Sequence, residues 1–324
     1  MPDTKKEIVC LGGGVGTSQV LKGLRSENQL SLTAIVSMAD DGGSAGRLRR
    51  AFAIPPPGDL INCLTALSEE ESILKDLFLY RFSGDRYGKD TDIRGQKLGN
   101  LIFLALTDMY KGDANQALEE FSKIISIRGK VLPATMDNVN IWAKTKDNKK
   151  VYGEENIDLG KYGSKSSSLK EVHLDPPNAK AYPLAIEAIV KSHLLVAGPG
   201  DLFSTVLPVL LVQKITKSIK ASSSKKILII NIANKPFETN GFKVSDYLTT
   251  LKNQLGEGFF DKIVINVNQK PKLPSGLKYN YVVYDKGNLR NYKEQIVEVD
   301  LVDTKFPIYH DPQKIAKTII SLMP

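Results

Sequence analysis

Apolar and polar positions alternate along the chain in two rhythms. Residues 7–12 are β-branched and apolar and run into glycines, the pattern of a buried strand entering a turn. Val20, Leu21 and Leu24 then recur at helical spacing, and 32–38 form a second apolar strand ending at Asp40-Asp41. Strand, glycine turn, helix, strand is a βαβ unit, which predicts a parallel sheet. Pro55-Pro56-Pro57-Gly58 stops local structure, and Asp59 is placed to cap a helix through Leu60, Leu64 and Leu67. Further helices are predicted over 71–82, 99–110 and 114–126. The charged, glycine-rich stretch 84–97 reads as a mobile loop or lid.

The rhythm changes in the middle. Segments 138–145 and 150–153, joined around Asp147-Asn148, read as a hairpin. The polar stretch Lys161 to Ser168 follows, then a strand near 169–174. Residues 131–180 are therefore expected to be a β-rich insertion, with 1–130 and 181–324 forming one α/β domain around it. The α/β pattern returns with a strand over 193–197, a turn at Gly198-Pro199-Gly200-Asp201 and a helix over 202–213. Strands at 226–232, 262–267 and 281–284 follow, and a last helix opens at Asp311-Pro312.

Composition narrows the chemistry. The 324 residues hold 44 Lys and Arg against 36 Asp and Glu, a net charge of +8. The basic residues are dispersed and no aromatic residues interleave with them, so the excess reads as solvated surface rather than a nucleic-acid face. Only two cysteines and three scattered histidines are present, which excludes a disulfide framework and argues against zinc chemistry. No apolar run approaches the ~18 residues of a membrane span. A cytoplasmic protein without membrane insertion is expected.

The candidate site lies at strand ends. Gly12-Gly13-Gly14-Val15-Gly16-Thr17 follows the first strand, where glycines admit a ligand close to the backbone and the next helix points N–H groups at an anion. The dinucleotide fingerprint is imperfect, since Thr17 stands at its third glycine. Asp40-Asp41-Gly42-Gly43-Ser44, with Arg47 and Arg49 beyond, ends the second strand. Such a carboxylate pair can hold Mg²⁺, accept from ribose hydroxyls or act as a base, while the arginines pair with phosphate. Asp59 and Asn62 share a helix face, and Gly99-Asn100 opens another helix. Gly198, Gly200 and Asp201 form one more strand-end turn. Asp40, Asp41 and Asp59 are the catalytic candidates. His310, beside the last helix, is expected to be structural.

Taken together, GGGVGTSQVLKGLR at 12–25, SMADDGGSAGRLR at 37–49, PPGDLINCLTAL at 56–67, GQKLGNL at 95–101, LPATMDNV at 132–139, GPGDLFSTVLP at 198–208 and HDPQKIA at 310–316 resemble the YvcK branch of the YvcK/CofD superfamily, the gluconeogenesis-factor-like proteins. The resemblance runs in order over nearly the whole chain. It implies a Rossmann-like, doubly wound, mostly parallel sheet with an inserted subdomain, often dimeric. It also implies binding of a nucleotide sugar such as UDP-GlcNAc and control of carbon metabolism, envelope synthesis and cell shape. The CofD branch implies the alternative, Mg²⁺-dependent transfer of a phospholactyl group from a guanosine diphosphate ester to a deazaflavin. The chain departs from the family at Val15 (usually Thr), Ile61 (usually Arg), Gln96 (commonly His) and Asp201 (usually Ser). An arginine lost at 61 and a carboxylate gained at 201 both weigh against anion binding.

Overall fold

The computed structural model describes residues 5–68, 73–161, 168–274, 276 and 278–324. Its strands are β1 (Lys6–Gly12), β2 (Leu30–Val36), β3 (Lys130–Pro133), β4 (Asn140–Thr145), β5 (Lys150–Tyr152), β6 (Leu169–Asp175), β7 (Leu194–Ala197), β8 (Lys225–Ile229), β9 (Ala233–Asn234), β10 (Lys262–Asn266), β11 (Asn280–Tyr281) and β12 (Ile296–Val299). Its helices are α1 (Gly14–Leu24), α2 (Gly43–Phe52), α3 (Pro57–Leu67), α4 (Ile73–Leu79), α5 (Leu98–Met109), α6 (Ala114–Ile124), α7 (Glu154–Asp158), α8 (Pro183–Lys191), α9 (Leu207–Leu210), α10 (Gln213–Ala221), α11 (Val244–Leu255) and α12 (Pro312–Ser321).

Seven strands form one sheet in the order β12-β10-β8-β7-β1-β2-β3. Every pairing in it is parallel. The near-continuous apolar runs of β1 and β7 follow from burial on both faces. Chain order runs outward in both directions from β1, through β2 to β3 on one side and β7 to β12 on the other. This is the doubly wound Rossmann arrangement, and its switch point lies between β1 and β7. A ligand crevice is expected outside the carboxyl ends of those two strands.

The hairpin expected in the middle is present as the antiparallel sheet β5-β4-β6. The expected insertion boundary at 131 needs correction, because β3 pairs with β2 from Thr33↔Lys130 to Val36↔Pro133 as the edge of the large sheet. Three apolar residues of β3 complete the core there. The stretch 162–167 and the first residues of the 71–82 helix lie outside the described residues.

The helix expected over 202–213 is broken. A π-helical turn covers Leu202–Val206, α9 follows, and α10 leaves at 70°. Pro208 has no N–H to continue a ladder, and the N–H groups of Phe203 and Ser204 are drawn to the Glu238 carboxylate at 3.2 Å each. No single helix among the described residues is long and apolar enough to cross a membrane.

The loop 84–97 is not loose. Arg47 is fully buried, and its guanidinium donates to the carbonyls of Asp85, Asp92 and Arg94. One side chain thereby satisfies carbonyls that would otherwise be orphaned, and the loop folds around it.

Candidate functional site

The two glycine turns at the switch point build the site by packing on each other. A Cβ at Gly16 would lie 2.3 Å from the carbonyl oxygen of Pro199, so only glycine lets α1 approach the turn after β7. Gly14 has φ +61°, the left-handed region, and starts α1. Thr17 is fully buried and its hydroxyl accepts from Gly13 N–H at 2.9 Å. It closes the turn instead of meeting a ligand, and a Cβ at Gly12 would sit 2.6 Å from its oxygen. Gly198 holds φ +71° beside the Ile229 carbonyl, and Gly200 N–H donates to Asn231 Oδ1 at 2.9 Å.

Between the turns opens a cleft of about 390 Å³. It brings together the predicted residues Gly13, Gly14, Gly16, Asp40, Asp59, Asn62, Gly200 and Asp201. Asp59 comes from the first turn of α3 and reaches the start of α1, where it accepts from Gly14 N–H. A Cβ at Gly13 would strike its oxygen at 2.2 Å, so the glycine is there for the carboxylate. Burial, then the nearby Asp40, pushes the Asp59 carboxyl up to about 7. Asp40 is also raised by burial, although its Oδ1 accepts from Gly42 N–H at 2.9 Å. Asn62 accepts from Lys97 at 2.7 Å, and burial lowers that ammonium to about 8.

The doubled aspartate does not act as a pair. Asp41 faces a second cavity, and its Oδ1 accepts from Glu155 N–H at 2.8 Å, capping α7 of the insertion. The expected Mg²⁺ ligands Asp40 and Asp41 thus line different cavities; the carboxylates that share the cleft are Asp40, Asp59, Glu154, Asp158 and Asp201. Among the described residues no group of three or more His, Cys, Asp or Glu is arranged to hold a metal ion.

Other predicted residues support the site from behind. Arg47 pins the loop and cannot pair with phosphate. Arg49 is spent on the Asp40 carbonyl, Asn138 and Val139. Ser44 is buried and accepts from Arg81 at 2.9 Å and from Asn100 at 3.4 Å. Gly42 gives its N–H to Asp40 and packs against Glu154 and Glu155. Gly99 packs α5 against the Phe78 carbonyl and Ile61. Gln96 and Ile61 are buried and neither lines the cleft.

Residues not foreseen complete it. The Lys235 ammonium pairs with Asp201 at 2.7 Å, Glu238 at 3.1 Å and Asp158 of α7. Burial opposes its charge, yet Asp201, Glu238, Asp158 and Glu154 outweigh burial and hold its pKa well above the usual lysine range. The carboxylate gained at 201 is thus neutralised in place. Glu154 also lines the cleft, and burial, then Asp40, raises it well above the ordinary value. Arg86 arrives from the pinned loop and lies against Gly43, where a Cβ would meet its Nη2 at 2.5 Å. Its guanidinium stands 4.9 Å over the Tyr87 ring, and no hydrogen bond or ion pair joins it to another described residue. Burial lowers His310 to about 4, so it is a neutral wall whose Nε2 meets the Ile230 carbonyl at 3.2 Å. Only the i, i+3 spacing of Lys235 and Glu238 hinted at any of these in sequence.

A doubly wound sheet with glycine turns and a carboxylate cleft at its switch point defines a Rossmann-like α/β protein. Residues 8–302 match the family described as 2-phospho-L-lactate transferase CofD, and the chain belongs to that family. It is 37% identical to the gluconeogenesis factor of Bacillus subtilis over 327 residues, covering 98% of both chains. It is 41% identical to the gluconeogenesis factor of Halalkalibacterium halodurans over 262 residues, 81% of this chain and 78% of that one. A crystal structure of a UPF0052 family member from Bacillus halodurans superposes with a TM-score of 0.86 at 35% identity, over 98% of this chain and 99% of the other.

Proposed function

We propose that the cleft binds a nucleoside diphosphate sugar of the UDP-GlcNAc kind in the cytoplasm, as a regulatory ligand for carbon metabolism, envelope synthesis and cell shape. The observation that carries this reading is the Arg86 guanidinium, without a hydrogen bond or ion pair among the described residues, in a cleft that also exposes the first turn of α1. The first N–H groups of a helix have no partner within it, and with an arginine they make a diphosphate site. Asp40, Asp59, Asn62 and Asp201 supply acceptors for ribose and sugar hydroxyls. Asp59, pushed up to about 7, is partly protonated at neutral pH, and burial raises Asp40 and Glu154 in the same direction, which limits their repulsion of the diphosphate.

A calorimetric panel of UDP-GlcNAc, UDP-glucose, GDP and NAD tests the reading. A uridine diphosphate sugar is expected to bind best and to lose about tenfold in affinity in Arg86→Gln, the usual scale of one charge-assisted contact. No uridine diphosphate binding at millimolar concentration sinks it. The second reading is a phospholactyl-type transferase, favoured by one observation, the Asp59 carboxyl near 7 and so able to take up a proton at neutral pH. It predicts a transfer product by mass spectrometry from a nucleotide diphosphate ester, Mg²⁺ and a deazaflavin, lost in Asp59→Asn; no product excludes that reaction.

A further inference from the structure

Much of the surplus positive charge is gathered on one side of the fold. From 188 to 237 the chain carries seven lysines, no arginine and one acid, Asp201. Asp201 and Lys235 neutralise each other in the cleft. The other six are Lys191, Lys214, Lys217, Lys220, Lys225 and Lys226, set against a net charge of +8 for the whole chain. Lys214, Lys217 and Lys220 are three apart on α10, so they share its exposed side, while Ile215 and Ile219 are buried on the other. α8 packs beside α10 and ends at Lys191. Lys225 and Lys226 open β8 and pair with Leu194 and Leu195 of β7, a few residues beyond Lys191.

Helix stability does not account for the whole stripe. A lysine in the last turn of a helix complements its dipole, which explains Lys191 and Lys220. Lys214 stands in the first turn of α10, where the dipole opposes a cation and no acid offsets it. Among the described residues Lys191 alone of the six forms an ion pair, with Glu187 at 2.5 Å. The ammonium groups of Lys214, Lys217 and Lys225 have no hydrogen bond or ion pair to another described residue. Two further acids lie near: Asp261 accepts from Lys226 N–H at 2.7 Å, and Glu7 N–H donates to His193, two residues from Lys191. Cations still outnumber acids on this side. Two large apolar side chains of α8 lie exposed beside them, Val190 at 66% and Leu184 at 44%. Nucleic acid is held largely through arginine and stacked aromatic rings, and this side offers neither. Flexible lysine stems spread over two helices and a strand end, with apolar residues between, suit a delocalised array of negative charge instead, the surface of an anionic lipid bilayer.

We propose that the side formed by α8, α10 and the start of β8 docks peripherally on a bilayer of anionic phospholipid. The lysines lie over the headgroups, and Val190 and Leu184 reach the boundary with the acyl chains. Lys191, Lys225 and Lys226 stand at the amino edge of the sheet, whereas the cleft opens at the carboxyl edge. A docked molecule therefore keeps its cleft open to water. The proposal does not depend on what the cleft binds.

The test is co-sedimentation of the full chain with vesicles of equal parts phosphatidylglycerol and phosphatidylcholine, against vesicles of phosphatidylcholine alone. Binding is expected to the anionic vesicles only, and to fall at least tenfold between ~0.1 M and ~0.5 M salt. Each lysine near such a surface contributes about fivefold, so Lys214→Gln/Lys217→Gln/Lys220→Gln should lose at least tenfold. All three side chains are exposed, and an unchanged thermal midpoint checks that the variant folds. If the midpoint falls, Lys217→Gln alone takes its place, with a loss of about fivefold expected. Lys149→Gln/Lys286→Gln/Lys305→Gln removes the same charge from exposed positions elsewhere and should lose less than threefold. No binding to either vesicle, equal binding to both, or an equal loss in the two triple variants overturns the proposal. Tighter capture of duplex DNA than of anionic vesicles at ~0.1 M salt, lost in the α10 variant, reassigns the face and overturns it too.

Discussion

The turn after β1 and the turn after β2 look alike in sequence, each a strand end with repeated glycines and polar residues. The structure uses them oppositely. The first presents its backbone to the cleft, and its glycines are small because Asp59, Thr17 and the Pro199 carbonyl need the room. The second turns inward: Arg47 and Arg49 are buried, Ser44 is buried, and Asp41 caps a helix of the insertion. Only Ser37 and Asp40 of this turn remain facing the cleft. Glycine and carboxylate at a strand end thus mark either a ligand surface or a joint between substructures, and the neighbours brought by the fold decide which.

The comparison breaks most easily at Gly16. Gly16→Val should cost more than about 3 kcal/mol, because its Cβ meets main chain that cannot rotate away. Urea denaturation measures it, and a cost below 1 kcal/mol would mean the two turns are not packed as described. Arg47→Met should cost about 3 kcal/mol by stranding the carbonyls of the 84–97 loop. It should also speed hydrogen exchange in that loop, whereas a phosphate-pairing role would change ligand affinity alone.

Asp59 sharpens the contrast through pH. Its folded carboxyl, near 7, lies above its ordinary value of 3.8, so its contribution is fully present below about pH 4 and is lost as pH rises through 7. Asp59→Asn should therefore raise stability at pH 8 by on the order of 2 kcal/mol, with little effect at pH 4. An equal shift in melting temperature at both pH values would show the carboxyl to be unperturbed. The smallest effect belongs to the second turn. Asp41→Ala should cost about 1 kcal/mol, the loss of a cap, with exchange rising in α7 while diphosphate-sugar affinity falls less than threefold. A larger affinity loss would return Asp41 to the binding site.

Much of the frame was legible beforehand. The βαβ order, the parallel sheet, the antiparallel hairpin and the switch-point glycines all followed from local patterns, since burial on two faces and positive φ leave direct marks on composition. The same patterns placed Asp59, Asn62 and Gly200 at helix starts and strand ends, and all three line the cleft. Arg47 goes to loop carbonyls and Asp41 to α7, which no local pattern shows, because a charged residue in a glycine-rich segment looks the same whether it meets ligand, carbonyls or a distant helix. Lys235, Glu238 and Asp158 left almost no mark, since a charge network among distant elements has no sequence period.

Sequence alone thus determined the family, the doubly wound sheet and the crevice edge, because these depend on periodicity and on backbone freedom at single positions. Tertiary structure decided which charges are free. Among the described residues Arg86 has no ion-pair partner, Asp201 is neutralised by Lys235, and Asp40 and Asp41 line different cavities. The physical reason is that a side chain's charge and reach act through space, and only folding sets which partners stand within a few ångströms.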